Sequence, residues 1–259
     1  PRGGPREECC LAATDARPPN PPTASSGPTP HFADQLITRV RDLGHPLCVG
    51  LDPHLAPISD LFRKGSMARD AEQTADAVEA FLGAMIDRLA GRVAAIKPQI
   101  AFFEQLGWRG IRVLDGLMRR AKEAELLVVL DAKRGDIGST AEGYASAYLA
   151  KDAVMPADAL TLNPYLGFDT IEPFARVAGD AGRGLFVLVR TSNPGSADLQ
   201  DRDIAGEPLF GLVADGLARF EKSLAGSTTP WSSLGVVVGA TWPEQARRVR
   251  EALPNALFL

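Results

Sequence analysis

The stretch Asp131-Ala132-Lys133-Arg134-Gly135-Asp136 sets two carboxylates and an ammonium at D-x-K-x-x-D spacing. That pattern alone is weak, and by itself it reads as a solvated loop carrying an ion pair. Its position strengthens it. It directly follows an apolar run at 126–130 that reads as a strand, so Asp131 and Lys133 are i, i+2 and point to the same side. Gly135 permits a tight turn, and Asp136 starts the connection into a helix beginning near Ser139. A second ammonium, Lys97, emerges from the neighbouring apolar run 93–96. Alternating Lys-Asp-Lys-Asp charges in one concave mouth keep both lysines protonated and both aspartates ionised, as a coupled set. Such an array is a poor general base. It is a good fixed electric field and a good proton donor to a strongly basic carbanion. Loss of CO₂ from a carbon with no ordinary electron sink is the chemistry it suits.

Holding four such charges in one mouth requires a particular scaffold. Nearly continuous apolar runs at 47–51, 93–96, 126–130, 159–162, 185–189, 234–238 and 256–259 read as parallel strands covered on both faces. Between them lie stretches of helical period: Val78, Phe81, Leu82, Met85 and Leu89, then Ile111, Leu114, Leu117, Met118 and Ala121. Leu212, Val213, Leu217, Phe220 and Leu224 repeat the pattern, and Pro243 fits the first turn of a helix to about Leu253. The β-α-β-α series implies a parallel sheet, either open and doubly wound or closed as a (β/α)₈ barrel. No G-x-G-x-x-G or G-x-x-x-x-G-K-[ST] follows the first strand. Instead Asp52, Lys97, Asp131, Lys133, Asn163, Ser192 and Thr241 stand at the C-terminal ends of six different strands, which is the habit of the barrel.

Composition excludes several classes. The 259 residues carry 28 Lys+Arg against 32 Asp+Glu, a net charge of −4, so the basic excess of a broad nucleic-acid surface is missing. No apolar run approaches the length of a membrane span. Cys9 and Cys10 are adjacent and Cys48 lies alone, with no metal-binding spacing, which fits a reduced cytoplasmic protein with incidental thiols and no metal. Residues 1–32 form a segment expected to be a disordered Pro-rich tail, with eight prolines in its first 30 positions and no signal-peptide pattern. At the other end, 256–259 reads as the start of a buried strand. The stretch from Thr191 to Gly206 is long and polar, either a lid or a tolerant surface loop.

Five stretches, in chain order, are similar to the orotidine 5′-monophosphate decarboxylase family in its longer bacterial form. They are Val49-Gly50-Leu51-Asp52-Pro53, Ile96-Lys97-Pro98-Gln99-Ile100-Ala101-Phe102-Phe103-Glu104, and Leu130-Asp131-Ala132-Lys133-Arg134-Gly135-Asp136-Ile137-Gly138-Ser139-Thr140. Thr161-Leu162-Asn163-Pro164-Tyr165-Leu166-Gly167 and Arg190-Thr191-Ser192-Asn193-Pro194-Gly195 complete the set, and the resemblance covers 33–259. It implies a TIM-type barrel that dimerises through the barrel mouths, uses no cofactor or metal, and forms uridine 5′-monophosphate in pyrimidine biosynthesis. It implies that Lys133 protonates C6 after CO₂ leaves, that Asp131 lies against the departing carboxylate, and that Lys97 orders the array and touches the ribose. Asp136 and Thr140 would reach into the partner's site, Ile137 would be a substrate-binding residue, Asp52 would bind a ribose hydroxyl, and Ser192 would bond the pyrimidine ring. Asn163 is as readily a structural turn before Pro164.

The family holds the substrate phosphate with a Gln-bearing loop after strand seven and an Arg after strand eight, and neither is present. The expectation is therefore a barrel domain over 33–259 that lacks the end of strand seven and strand eight, incomplete at its C-terminal end. Two other readings stay open. One is a catalytically impaired fragment that serves at most as a dimerising partner. The other is a magnesium-dependent sugar-phosphate decarboxylase of the same suprafamily, although Lys97 on strand two would repel the cation.

Overall fold

The computed structural model describes residues 31–259, so most of the expected tail and two of the three cysteines lie outside it. Among the described residues there are nine strands in chain order, β1 (Cys48–Leu51), β2 (Ala95–Pro98), β3 (Leu127–Arg134), β4 (Ala159–Leu162), β5 (Gly184–Arg190), β6 (Asp203–Ile204), β7 (Glu207–Pro208), β8 (Leu234–Val238) and β9 (Leu257–Phe258), separated by helices except between β6 and β7. β6 and β7 form a small hairpin of their own. The other seven make one sheet in the order β1-β2-β3-β4-β5-β8-β9, parallel at every pair. Sequence order equals spatial order throughout, as in a (β/α)₈ barrel. Seven of the eight barrel positions are filled among the described residues.

The main helices are α1 (Phe32–Leu43), α2 (Glu72–Leu89), α3 (Ala101–Glu104), α4 (Gly107–Glu123), α5 (Gly138–Tyr148), α6 (Glu172–Ala181), α7 (Leu209–Ser223) and α8 (Pro243–Ala252). The longer of these, such as α2, α4 and α7, bear an apolar stripe at 3–4 spacing because only that face meets the sheet. Val78, Leu82 and Ile86 of α2 are buried, as are Leu114, Leu117 and Met118 of α4 and Ala214, Leu217 and Phe220 of α7. These pack on the outward side chains of the strands, such as Ile96, Leu130, Leu160 and Val187.

The inward side chains form a second, smaller core: Ala95, Leu127, Val129, Ala159, Phe186 and Leu257. Small residues on β2 and β4 leave room for the Phe186 ring. α1 closes this interior from the end where the strands begin. Its Phe32 lies edge-on to Phe186 with ring centroids 6.0 Å apart, and its first amides bond to Gly182 O and Ser233 Oγ, just ahead of β5 and β8. Burying a ring of this size contributes about 2 kcal/mol. Phe32 is 1% exposed, so this residue, expected to close the tail, packs in the interior.

Asp34 completes the closure. Its carboxylate accepts from the N–H groups of Ser227, Thr228 and Thr229 and from the hydroxyls of Ser227 and Thr229. Burial opposes its charge, but these donors outweigh it and hold the carboxyl well below the usual carboxylate range.

Candidate active site

At the other end of the sheet, β3 does not stop at Leu130. It runs on to Arg134, so the first four residues of the charged motif, Asp131 to Arg134, are themselves strand. Its inward alternation through Leu127 and Val129 carries Asp131 into the barrel mouth. Lys97, on β2, comes from the adjacent strand. Lys97 Nζ lies 3.1 Å from Asp131 Oδ2 and Lys133 Nζ lies 2.6 Å from Asp131 Oδ1, so one carboxylate is gripped from both sides. Asp131 is 7% exposed. Burial raises its pKa, but the hydrogen bonds and charges of Lys133 and Lys97 prevail and hold it below the ordinary value.

Lys133 departs from simple strand alternation. Its φ is +47°, in the left-handed region, and the β3–β4 register shifts between Leu130 and Arg134. This bulge re-aims the lysine, as bulges near active sites do. The amides of Ala132 and Lys133 both donate to Thr161 Oγ1, at 2.9 and 2.8 Å, and that hydroxyl donates to Asp131 Oδ1 at 2.9 Å.

The fourth charge of the motif stands apart. Among the described residues Asp136 accepts a hydrogen bond only from the following amide, that of Ile137 at 2.8 Å, and does not join the Lys-Asp-Lys cluster of its own chain. Ile137 and Thr140 are exposed beside it, as are Tyr165 and Leu166 after β4. Asp52 is exposed immediately after β1, at the mouth. Asn163 Oδ1 accepts from the amide of Tyr165 at 3.0 Å, a turn-forming bond.

Ser192 and Lys133 line a shared cavity of about 940 Å³. Its walls are polar near Asn163, Thr191 and Asn193 and apolar along Leu188, Leu209 and Val213. Gly239, after β8, makes the placing of Ser192 possible, because a Cβ there would come 2.8 Å from the Ser192 Cβ. The segment after β5 leans over this cavity, with Leu199 and Gln200 in its lining. Its base is fixed by Arg190, which is fully buried. The Arg190 guanidinium donates to Ser196 Oγ, Gln200 Oε1 and Asp201 Oδ2, and stacks 4.2 Å from the Trp242 ring centre. Gln200 and Thr191 exchange two further hydrogen bonds.

Thr161, Arg190, Gln200 and Gly239 were not singled out from the sequence as site residues. A threonine inside an apolar strand reads as an ordinary β-branched residue, and only the position of Arg190 ahead of a polar loop could have marked it. Among the described residues no cluster of three His, Cys, Asp or Glu side chains stands ready for a metal ion, and no helix is long and apolar enough to cross a membrane.

Residues 45–255 match the model of the orotidine 5′-phosphate decarboxylase / HUMPS family. The orotidine 5′-phosphate decarboxylase of Rhodopirellula baltica is 42% identical over 232 residues, which is 88% of this chain and 76% of that protein. The namesake from Caldicellulosiruptor bescii is 38% identical over 239 residues, 88% of this chain and 78% of the relative. Among solved structures, the OMP decarboxylase of Leishmania donovani superposes with a TM-score of 0.70 at 34% identity, covering 88% of this chain and 78% of its own.

Proposed function

Since this chain belongs to the orotidine 5′-phosphate decarboxylase / HUMPS family, we propose that its Lys97–Asp131–Lys133 cluster carries out the decarboxylation of orotidine 5′-monophosphate to uridine 5′-monophosphate in pyrimidine biosynthesis. The observation that carries this reading is the single carboxylate clamped between two ammonium groups at the barrel mouth.

The reaction breaks the bond between C6 of the pyrimidine and its carboxylate. The electron pair stays on C6, CO₂ departs, and C6 takes a proton from Lys133 Nζ, which regains one from solvent. Asp131 lies against the departing carboxylate, in a site where fixed charges act at low effective dielectric. Lys97 holds the second Asp131 oxygen and faces the ribose, Asp52 bonds a ribose hydroxyl, and Ser192 bonds the ring from the cavity wall. The residues themselves supply both field and proton, so no cofactor or metal enters the scheme. The ammonium of Lys97 beside Asp131 also disfavours a divalent cation there.

The working unit is a cytoplasmic homodimer joined through the barrel mouths. Asp136, Ile137 and Thr140 then serve the partner's site. This is supported by an Asp136 side chain that leaves its own cluster alone and by the exposed apolar side chains of Ile137 and Tyr165 around it.

Purified chain incubated with orotidine 5′-monophosphate should lower the pyrimidine absorbance as product forms. Mixing Lys133→Ala and Asp136→Ala proteins tests the shared site, because a mixed dimer collects both lesions in one site and leaves the other whole. About a quarter of wild-type activity should return under random reassortment. No recovery despite demonstrated subunit exchange would place Asp136 in its own subunit's site.

A further inference from the structure

Thr161 is 1% exposed, and its hydroxyl is saturated. The oxygen accepts the amides of both Ala132 and Lys133, and its only proton goes to Asp131 Oδ1. A hydroxyl has two acceptor sites and one donor, so all three are committed and its orientation is fixed. The Lys133 ammonium ends on that same Asp131 oxygen. The backbone and the tip of Lys133 are therefore both tied to a point less than one side chain away.

We propose that Thr161 is a positioning residue, one that holds the Lys133 backbone and the Asp131 carboxylate in the mutual arrangement needed for proton delivery. The inference rests on the role assigned above to Lys133. In a regular parallel ladder successive amides face opposite neighbours, Ala132 towards β4 and Lys133 towards β2, but the register shift between Leu130 and Arg134 and the positive φ of Lys133 interrupt those partnerships. The Thr161 hydroxyl replaces them. Without it two amides would be left unpaired beside a lysine whose backbone already occupies a sparsely populated region, and such a conformation persists only where its surroundings over-determine it. A lysine side chain has four rotatable carbons, so its reach is set by where its backbone is held. Displacement of a reacting group by about 1 Å can cost on the order of 100-fold in rate.

The test compares two substitutions in the full chain. Thr161→Val keeps the shape and loses the hydroxyl. Thr161→Ser keeps the hydroxyl and loses a methyl. If the hydroxyl positions Lys133, Thr161→Val should lower kcat by roughly 10–100-fold with little change in KM or in uridine 5′-monophosphate affinity. Thr161→Ser should stay within about threefold of wild type, the extent of a small packing loss. A merely structural role in β4 gives the reverse order, because valine packs better than serine there.

Hydrogen exchange supplies a readout independent of turnover. The Ala132 and Lys133 amides should exchange at least about tenfold faster in Thr161→Val but not in Thr161→Ser. Unchanged exchange in Thr161→Val overturns the proposal. So does unchanged kcat in Thr161→Val when Lys133→Ala is inactive. Full activity of Lys133→Ala, together with faster exchange in Thr161→Val, would instead discard the assigned proton donor and leave the hydroxyl's hold on β3 standing.

Discussion

At the end of the barrel where the strands begin, Asp34 accepts five hydrogen bonds, all from neutral amides and hydroxyls. At the end where they finish, Asp131 is held by two ammonium groups and one hydroxyl. Both aspartates are buried, and both are kept ionised against the cost of burial. The means differ, and so does what each carboxylate can do. Around Asp34 the charge is solvated by a loop backbone fixed in place, and no donor there gives up a proton readily. That arrangement ties α1 to the segment before β8. Around Asp131 the donors are ammonium groups on long side chains, one of them 44% exposed at its side chain, and an ammonium can part with its proton. The same residue type serves cohesion at one end and, under the proposed function, chemistry at the other.

Three outcomes would sharpen or break this contrast. The largest effect is expected at the mouth. Lys133→Ala should lower turnover by roughly 10³-fold, the scale of a lost general acid, with little change in the melting temperature. A variant that keeps more than about a tenth of kcat would remove the functional half of the comparison.

The next effect belongs to the floor. Asp34→Ala leaves the Ser227, Thr228 and Thr229 donors unpaired and should cost about 3 kcal/mol, read as a fall in melting temperature, while the pH dependence of turnover keeps its shape. Its linkage has a definite sign. The folded carboxyl titrates below its ordinary value of 3.8, so its stabilisation is complete above that value and is lost as pH falls toward the depressed folded pKa. Asp131 contributes with the same sign. The acid limb of melting temperature against pH should therefore be shallower in Asp34→Ala than in the wild type. Parallel limbs would mean that the floor carboxylate is not the group being titrated.

The smallest effect tests the cavity wall. Gly239→Ala brings a Cβ to 2.8 Å from that of Ser192, so Ser192 must shift. KM should rise by about fivefold, roughly 1 kcal/mol, with kcat nearly unchanged if Ser192 contributes uniform binding. An unaltered KM would separate Ser192 from the ring.

How far the sequence alone reaches follows the same division. Strands built from local apolar runs were legible to within a few residues: 234–238 became β8 unchanged, while 93–96 became Ala95–Pro98. The Lys97–Asp131–Lys133 grouping was legible because charge at a strand end is conspicuous. The bulge at Lys133 was not, since φ is decided by the β4 partner and by the Thr161 hydroxyl rather than by neighbours in sequence. Nor was the Asp34 clamp, whose donors stand 193–195 positions away and resemble any Ser/Thr-rich loop. Arg190, quoted only within a family-like stretch, had no legible role because a lone arginine at a strand end ordinarily faces water, and here its partners are supplied by the folded segment that follows.

That separation of 193–195 residues also sets an order of events during synthesis. Each βα unit can pack on the one before it as it leaves the ribosome, because the sheet is laid down in sequence order. α1 emerges ahead of all of them, yet the loop that anchors it is made 193–195 residues later. At translation rates of about 5–20 residues per second, α1 waits on the order of 10–40 s with its apolar face unoccupied. α1 thus docks long after it is made, and the step that seals the floor is open through that interval to interception by chaperones or by another nascent chain.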